Sequence, residues 1–358
     1  MKKNSTIEMI KTLSNANGIS GFEDEVLEII RQELPDTVTV TEDSLRNLYV
    51  YMQNTKKGMP VVMLDAHTDE VGFMVKAVRP DGMLEFIMMG GWVAHNIPAH
   101  PVRVRNRDGI YIPGVIAAKP PHFMTEAEKK TPPDISQMVI DVGASSAEEI
   151  KNDYRIDIAA PVVPAVECIY DEKHGILTGK AFDDRLGCAA ALFTLKEVYK
   201  KALKVNAVWA FSAQEEVGTR GAAVTANRIK PDIAIVFEGC PADDTVVPAY
   251  QAQTVLKKGP MLRHIDSRMI TNPRFQKYAL EIAEKFNIPV QTAVRSAGST
   301  DGAPIHLSNN GVPVIVIGIP VRYAHSHYGI SAYSDFENSV KLATAILTNI
   351  TKDIITEF

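Results

Sequence analysis

The chain has 358 residues, 46% hydrophobic and 23% charged, with a formal net charge of −5. That is an ordinary soluble globular composition: no basic stripe points to nucleic acid, and no apolar stretch is long enough to span a membrane bilayer. The length exceeds what one hydrophobic core fills, so two domains are expected. Three cysteines, Cys168, Cys188 and Cys240, are odd in number and irregular in spacing. They indicate neither a disulfide framework nor a zinc knuckle, and a cytoplasmic location is expected. The polar N-terminal stretch Met1-Lys2-Lys3-Asn4-Ser5 carries no visible secretory signal.

Thr6 to Leu13 has roughly helical spacing, a turn follows at Asn15-Ala16-Asn17-Gly18, and Glu23 to Leu34 reads as an amphipathic helix stopped by Pro35. Val38 to Val40 and Leu48 to Met52 are short strands. Val61-Val62-Met63-Leu64 is a buried strand running into Asp65-Ala66-His67-Thr68-Asp69-Glu70. From Gly72 to about Ala165 the texture changes to short strand-like runs broken by Gly and Pro, with only Ala147 to Asn152 helical. That is the pattern of a small β-barrel or sandwich. The α/β pattern resumes at Asp183, with an apolar-periodic helix from Leu186 to Lys200 and a strand over Ala207 to Ser212. A helix near Ala222 to Ala226 and a strand over Ile233 to Phe237 follow. Pro273 to Phe286 is a helix, Val290 to Val294 a strand, Val312 to Gly318 a strand, and Ser334 to Ile350 the closing helix. The expected fold is α/β: a doubly wound mixed sheet, residues 1–72 and 166–358, with a small β-barrel-like domain, residues 73–165, inserted in it.

In open α/β sheets ligands gather beyond the carboxyl ends of the strands. Five potential metal ligands stand at or near such ends: His67, Asp183, Glu216, Glu238 and His325. All are nitrogen or oxygen donors, suited to zinc, cobalt or manganese, and one bridging carboxylate lets five ligands serve two ions. Asp69 lies two residues after His67 on the same face of an extended segment, placed to accept that ring's other proton. Asp184 is left free to hold local geometry. Glu215 and Glu216 are adjacent, and on an extended segment they point to opposite sides, one toward a metal and one free as a base. Taken singly, each residue has a plainer reading as a turn acid, a helix cap or a hydrogen-bonded histidine. His95, His100, His122, His174, His264 and His306 are read as structural or surface residues, and His327 stays open.

In order along the chain come His67-Thr68-Asp69, Gly90-Gly91-Trp92, Lys119-Pro120-Pro121-His122 and Gly179-Lys180-Ala181-Phe182-Asp183-Asp184-Arg185. Gln214-Glu215-Glu216-Val217-Gly218 and Arg322-Tyr323-Ala324-His325-Ser326 complete the set. With these motifs, the chain resembles over nearly its whole length the tetrahedral, TET-type aminopeptidases, family forty-two of the metallopeptidases. The resemblance implies two divalent metal ions per subunit, zinc or cobalt foremost and manganese as a third choice. His67 and Glu238 would each bind one ion, Glu216 and His325 the other, with Asp183 between them. Glu215 would be the general base, and Asp69 would stand behind His67. The resemblance further implies peptide substrates, and self-association through the inserted domain into dodecamers or dimers. Two positions depart from the family pattern: Glu238 stands where Asp is common, and His327 where Pro usually follows the His-Ser pair.

The expected activity is removal of N-terminal residues from peptides. A related dimetal carboxypeptidase or amide deacylase is the enzymatic alternative, and a metal-stabilised scaffold without catalysis the non-enzymatic one.

Overall fold

The apolar runs around Val61, Ala207, Ile233 and Val314 form the parallel centre of an eight-stranded sheet. The computed structural model describes residues 2–53, 55–131 and 134–358. From one edge the strands run Val38–Glu42, Leu48–Met52, Asn206–Ser212, Val61–His67, Ile233–Pro241, Val314–Val321, Met261–Ile265 and Gln291–Val294. The four from Asn206–Ser212 to Val314–Val321 are mutually parallel. On either side the next strand is antiparallel, so the sheet is mixed. Val314–Val321 is buried throughout and Val61–His67 from Val62 onward. A strand covered on both faces has no polar side to show, which is why these runs do not alternate.

Helices cover both faces. Phe182–Val198 packs on the sheet and is itself roofed by Lys3–Asn15 and Tyr333–Asn349. It is therefore apolar nearly all round, with Leu186, Ala189, Ala190, Leu192 and Leu195 fully buried. Pro273–Lys285 begins where the sequence places it: Asn272 caps it by accepting from the backbone N–H of Arg274 and Phe275, and Pro273 fills the first turn. Arg220–Ile229 and Gly302–His306 lie against a smaller cluster containing Ala222, Ala226 and Ile305.

Residues 72–164 hold a closed six-stranded antiparallel barrel. The order is Gly72–Val78, Leu84–Met89, Ile140–Asp141, Tyr111–Ile116, Pro101–Arg105 and Pro161–Pro164. It has its own core, including Phe73, Phe86, Val102, Val104, Ile116 and Val162. Trp92 stacks on Phe73 with ring centres 4.7 Å apart.

Several elements were not legible in the sequence. Met261–Ile265 carries a buried arginine, Arg263, whose charge breaks the strand pattern and is met by Asp266 at 3.0 Å. A second sheet joins Ile169–Asp171, Ile176–Gly179 and Gly329–Ala332, three short strands paired across some 150 residues of chain, roughly the separation of Gly179 from Gly329. The short helices Gly302–His306 and Lys352–Thr356 are too brief to show a period.

A buried ionic cluster ties the first helix to the site loops. Lys180 reaches Glu70 and the carbonyl of Ala16, the latter at 2.8 Å. Arg185 donates to the carbonyls of Thr68 (2.9 Å), Leu13 (2.8 Å) and Gly18 (3.1 Å), and lies 3.4 Å from Glu70. Arg185 thus serves these carbonyls and Glu70, not a local pair with Asp183 or Asp184. Every charge here is buried and shared, so loss of one partner would leave another unpaired at a cost of about 3–5 kcal/mol.

Candidate metal centre

The parallel strands deliver their carboxyl ends to one place. His67 closes its strand opposite Ser212 of the neighbouring strand. Glu238 lies on Ile233–Pro241, which runs past the end of Val61–His67. Gly239 follows it, and a Cβ there would stand 2.5 Å from the Cα of Asp183, so only glycine lets the Asp183 loop approach this closely. The backbone at Asp183 and Asp184 is not helical, and the peptide bond between them is cis. Ala181, Gln214, Tyr323 and His325 are all non-glycine residues in the left-handed region. Such residues cost about 1–3 kcal/mol each and gather where the fold fixes a functional loop.

Asp183 stands between the two histidines. Its Oδ1 is 3.1 Å from His67 Nε2 and its Oδ2 is 3.3 Å from His325 Nε2. Glu216 Oε2 is also 3.3 Å from His325 Nε2. Ligands about 2.0–2.1 Å from one tetrahedral ion stand about 3.3 Å apart, so these spacings suit a shared cation. Among the described residues, two trios bring their donor atoms within 4.8 Å of one another: His67, Asp183 and Glu216, and His67, Asp184 and Glu238. Asp184 is thus nearer the donors than its sequence reading allowed, although its Oδ1 also accepts from the Gly187 N–H at 3.0 Å.

Each imidazole is oriented through its far nitrogen. His67 Nδ1 is 3.1 Å from the carbonyl oxygen of Asp69 and 3.4 Å from its carboxylate. His325 Nδ1 is 3.0 Å from the carbonyl oxygen of Gly91, in the inserted barrel. With a proton on Nδ1 in each ring, Nε2 keeps its lone pair for a metal. A Cβ on Gly91 would meet His325 Nδ1 at 2.8 Å, so this position has no room for a side chain. His327, two residues on, is buried and stacks on His100 with ring centres 4.0 Å apart, fastening the same loop to the barrel.

Glu215 and Glu216 do not lie on an extended segment. The strand stops at Ser212, Gln214 is left-handed, and the glutamates sit at a turn that ends at Gly218. Their side-chain directions follow from the turn and not from strand alternation. Asp69 accepts from the Glu215 N–H at 2.9 Å and the Glu216 N–H at 3.1 Å, and Ser20 donates to it at 2.5 Å. Its carboxylate therefore shapes the turn more closely than it holds His67. Ser20, Glu23 and Asn47 also support this site without any mark in the sequence, whereas Gly91 belongs to the Gly90-Gly91-Trp92 motif, whose link to His325 only the fold reveals.

The charge balance calls for cations. Burial pushes the carboxyls of Glu216, Glu238 and Asp184 well above the usual range, with Asp183 adding to each. Burial pushes Glu215 up to about 7, with Asp183 and Asp69 adding and His67 opposing. Burial disfavours a charged His325, yet Glu216 and Asp183 carry it up to about 10. Glu216 Oε1, Glu238 Oε2 and Asp184 Oδ2 are buried without a hydrogen-bond partner. Buried oxygens of this kind are costly unless a donor or an ion meets them, so the donor set fits divalent metal. Beneath His67 lies a further acidic layer, in which Asp65 accepts from Ser212 Oγ at 2.5 Å beside buried Asp301.

Comparison with known proteins gives the family. Residues 47–342 match the family model described as M42 glutamyl aminopeptidase. The chain is 33% identical over 356 residues to the putative aminopeptidase FrvX of Escherichia coli, covering 98% of each. It superposes on the TET aminopeptidase of the marine sediment archaeon Thaumarchaeota archaeon SCGC AB-539-E09 with a TM-score of 0.93, at 33% identity and 99% coverage of each chain. It also superposes on the Pyrococcus horikoshii TET1 peptidase, which can assemble into a tetrahedron or a large octahedral shell. There the TM-score is 0.87 at 28% identity, covering 96% of this chain and 100% of the other. The strand-end cluster of histidines and carboxylates, the mixed sheet with its inserted barrel and these matches together place the chain in the M42 family of aminopeptidases, which are metal-dependent peptide hydrolases.

Proposed function

We propose that the protein is a two-metal aminopeptidase that removes N-terminal residues from peptides, with Glu215 as its general base. The observation that carries this reading is the Asp183 carboxylate, one oxygen toward His67 and the other toward His325. In it, His67, Asp183 and Glu238 would hold one ion and Asp183, Glu216 and His325 the other, with zinc or cobalt foremost and manganese as a third choice. When bound, such ions supply Lewis-acid activation of water and of the scissile carbonyl. Glu215 accepts the proton of the attacking water and passes it to the departing amine nitrogen. In the metal-free protein burial raises the Glu215 carboxyl to about 7, above an exposed carboxylate. Asp69 keeps the glutamate turn in place and His67 in its orientation.

Self-association through the barrel accompanies this reading, giving a dodecamer or a dimer. The barrel exposes Ile110, Val115, Phe123 and Ile158, apolar residues that a partner subunit would cover. The three cysteines are buried and unpaired, which suits a reducing cytoplasm.

A direct test uses aminoacyl-nitroanilides and peptides with free or blocked N-termini, on chelated protein resupplied with zinc, cobalt or manganese. Release from free N-termini, lost on chelation and restored by metal, is the expected result. Activity confined to blocked substrates or to C-terminal residues, or untouched by chelation, would contradict it.

A further inference from the structure

Four consecutive backbone N–H groups at the glutamate turn are each held by a side-chain oxygen. Ala213 donates to Asn47 Oδ1 at 2.9 Å and Gln214 to Glu23 Oε1 at 3.2 Å. Glu215 and Glu216 donate to the two oxygens of Asp69 at 2.9 and 3.1 Å. The carbonyls are held as well: Ala213, Gln214 and Glu215 accept from Gly221, Arg220 and Thr219 at 2.9, 3.2 and 2.7 Å. An ordinary turn after a strand would leave these groups to water. Here the four N–H groups are met by side chains from three distant segments, Glu23, Asn47 and Asp69, all buried.

Each holder is itself fixed. Asn47 Nδ2 donates to Asp43 at 2.9 Å, and Asp43 also accepts from the Tyr49 hydroxyl at 2.5 Å. Glu23 Oε1 takes a second N–H, that of Gly21, at 2.8 Å. Glu23 Oε2 is buried with no partner. Keeping an unsatisfied carboxylate oxygen inside is costly, and capping the Gly21 and Gln214 amides through Oε1 alone does not require it.

We propose that Glu23 and Asn47 are positioning residues: with Asp69 they lock the backbone of residues 213–216 so that Glu215 faces the reacting groups while Glu216 faces the cation site. This rests on the two-metal peptidase reading for its effect on turnover. The locking itself is a property of the chain alone. Two neighbouring glutamates in a turn, unlike two in a strand, have no built-in division of direction. Small rotations of the turn would swing both, and a misplacement of about 1 Å at a reacting group costs about 10²-fold in rate.

The test compares Glu23→Gln, which keeps an acceptor oxygen at the same reach, with Glu23→Asp, which keeps the carboxyl group but withdraws its oxygen from Gln214. Glu23→Asp is expected to lose about 10²-fold in kcat with KM little changed and metal content at the wild-type level. Glu23→Gln is expected to restore most of that turnover. Hydrogen exchange of residues 213–216, read on the metal-free proteins, should quicken in Glu23→Asp and not in Glu23→Gln. Wild-type turnover and exchange in Glu23→Asp would overturn the proposal. So would a loss of activity that only follows loss of metal, or a failure of Glu23→Asp to fold, since either makes Glu23 a support of the fold. If the wild-type protein lacks peptidase activity, the functional reading fails, and the exchange comparison still decides whether the turn is locked.

Discussion

Replacing Glu215 by Gln is expected to leave a folded, metal-loaded protein that turns over about 10²–10⁴-fold more slowly. The substitution keeps size and hydrogen bonding and removes only the basic carboxylate. The Glu215 backbone N–H still reaches Asp69, so the turn has no reason to shift. Metal content, oligomer size and melting temperature should remain close to wild type. Glu216→Gln should behave differently, because its Oε2 faces His325 and its Oε1 is a buried orphan that a cation would satisfy. That variant should hold metal weakly and regain part of its activity at high metal concentration. Steady-state kinetics with elemental analysis on both variants separates the two roles. Near-normal turnover in Glu215→Gln, or metal loss equal to that of Glu216→Gln, would refute the assignment of the base.

Asp183→Ala is expected to lose both metals, whereas His325→Ala should lose mainly one. The reason lies in the geometry: one carboxylate faces two imidazoles, and His325 Nε2 faces Asp183 and Glu216. Removing Asp183 leaves Glu216, Glu238 and Asp184 as buried acids that gain stability by binding protons instead of ions. Activity should disappear with the metal. Two tightly held ions in dialysed Asp183→Ala, counted by elemental analysis, would contradict this.

Much of this site could be read before any coordinates. Apolar runs ending in His67 and near Glu238 give away both the parallel strands and their carboxyl ends, because a two-sided burial requirement leaves no freedom at those positions. The Gly- and Pro-punctuated stretch after Gly72 likewise gave away a separate β-rich unit. What stayed hidden depends on contacts between distant segments. Gly91 is a barrel residue that orients His325, and no local pattern marks a carbonyl as a hydrogen-bond acceptor for a ring 234 residues away. Glu23 and Asn47 look like ordinary turn and cap residues until the fold sets them against Ala213 and Gln214. Strand alternation was the wrong guide at Glu215 and Glu216, since the left-handed Gln214 ends the strand geometry before it reaches them.

In the proposed centre one carboxylate, that of Asp183, would join two metal positions. Anomalous diffraction from crystals grown with zinc, recorded on both sides of the zinc edge, tests it most directly. Two peaks about 3.5–4 Å apart are expected, one bordered by His67 and Glu238, the other by Glu216 and His325, with Asp183 touching both. A single peak, or a pair joined by Asp184 with Asp183 unattached, would contradict it.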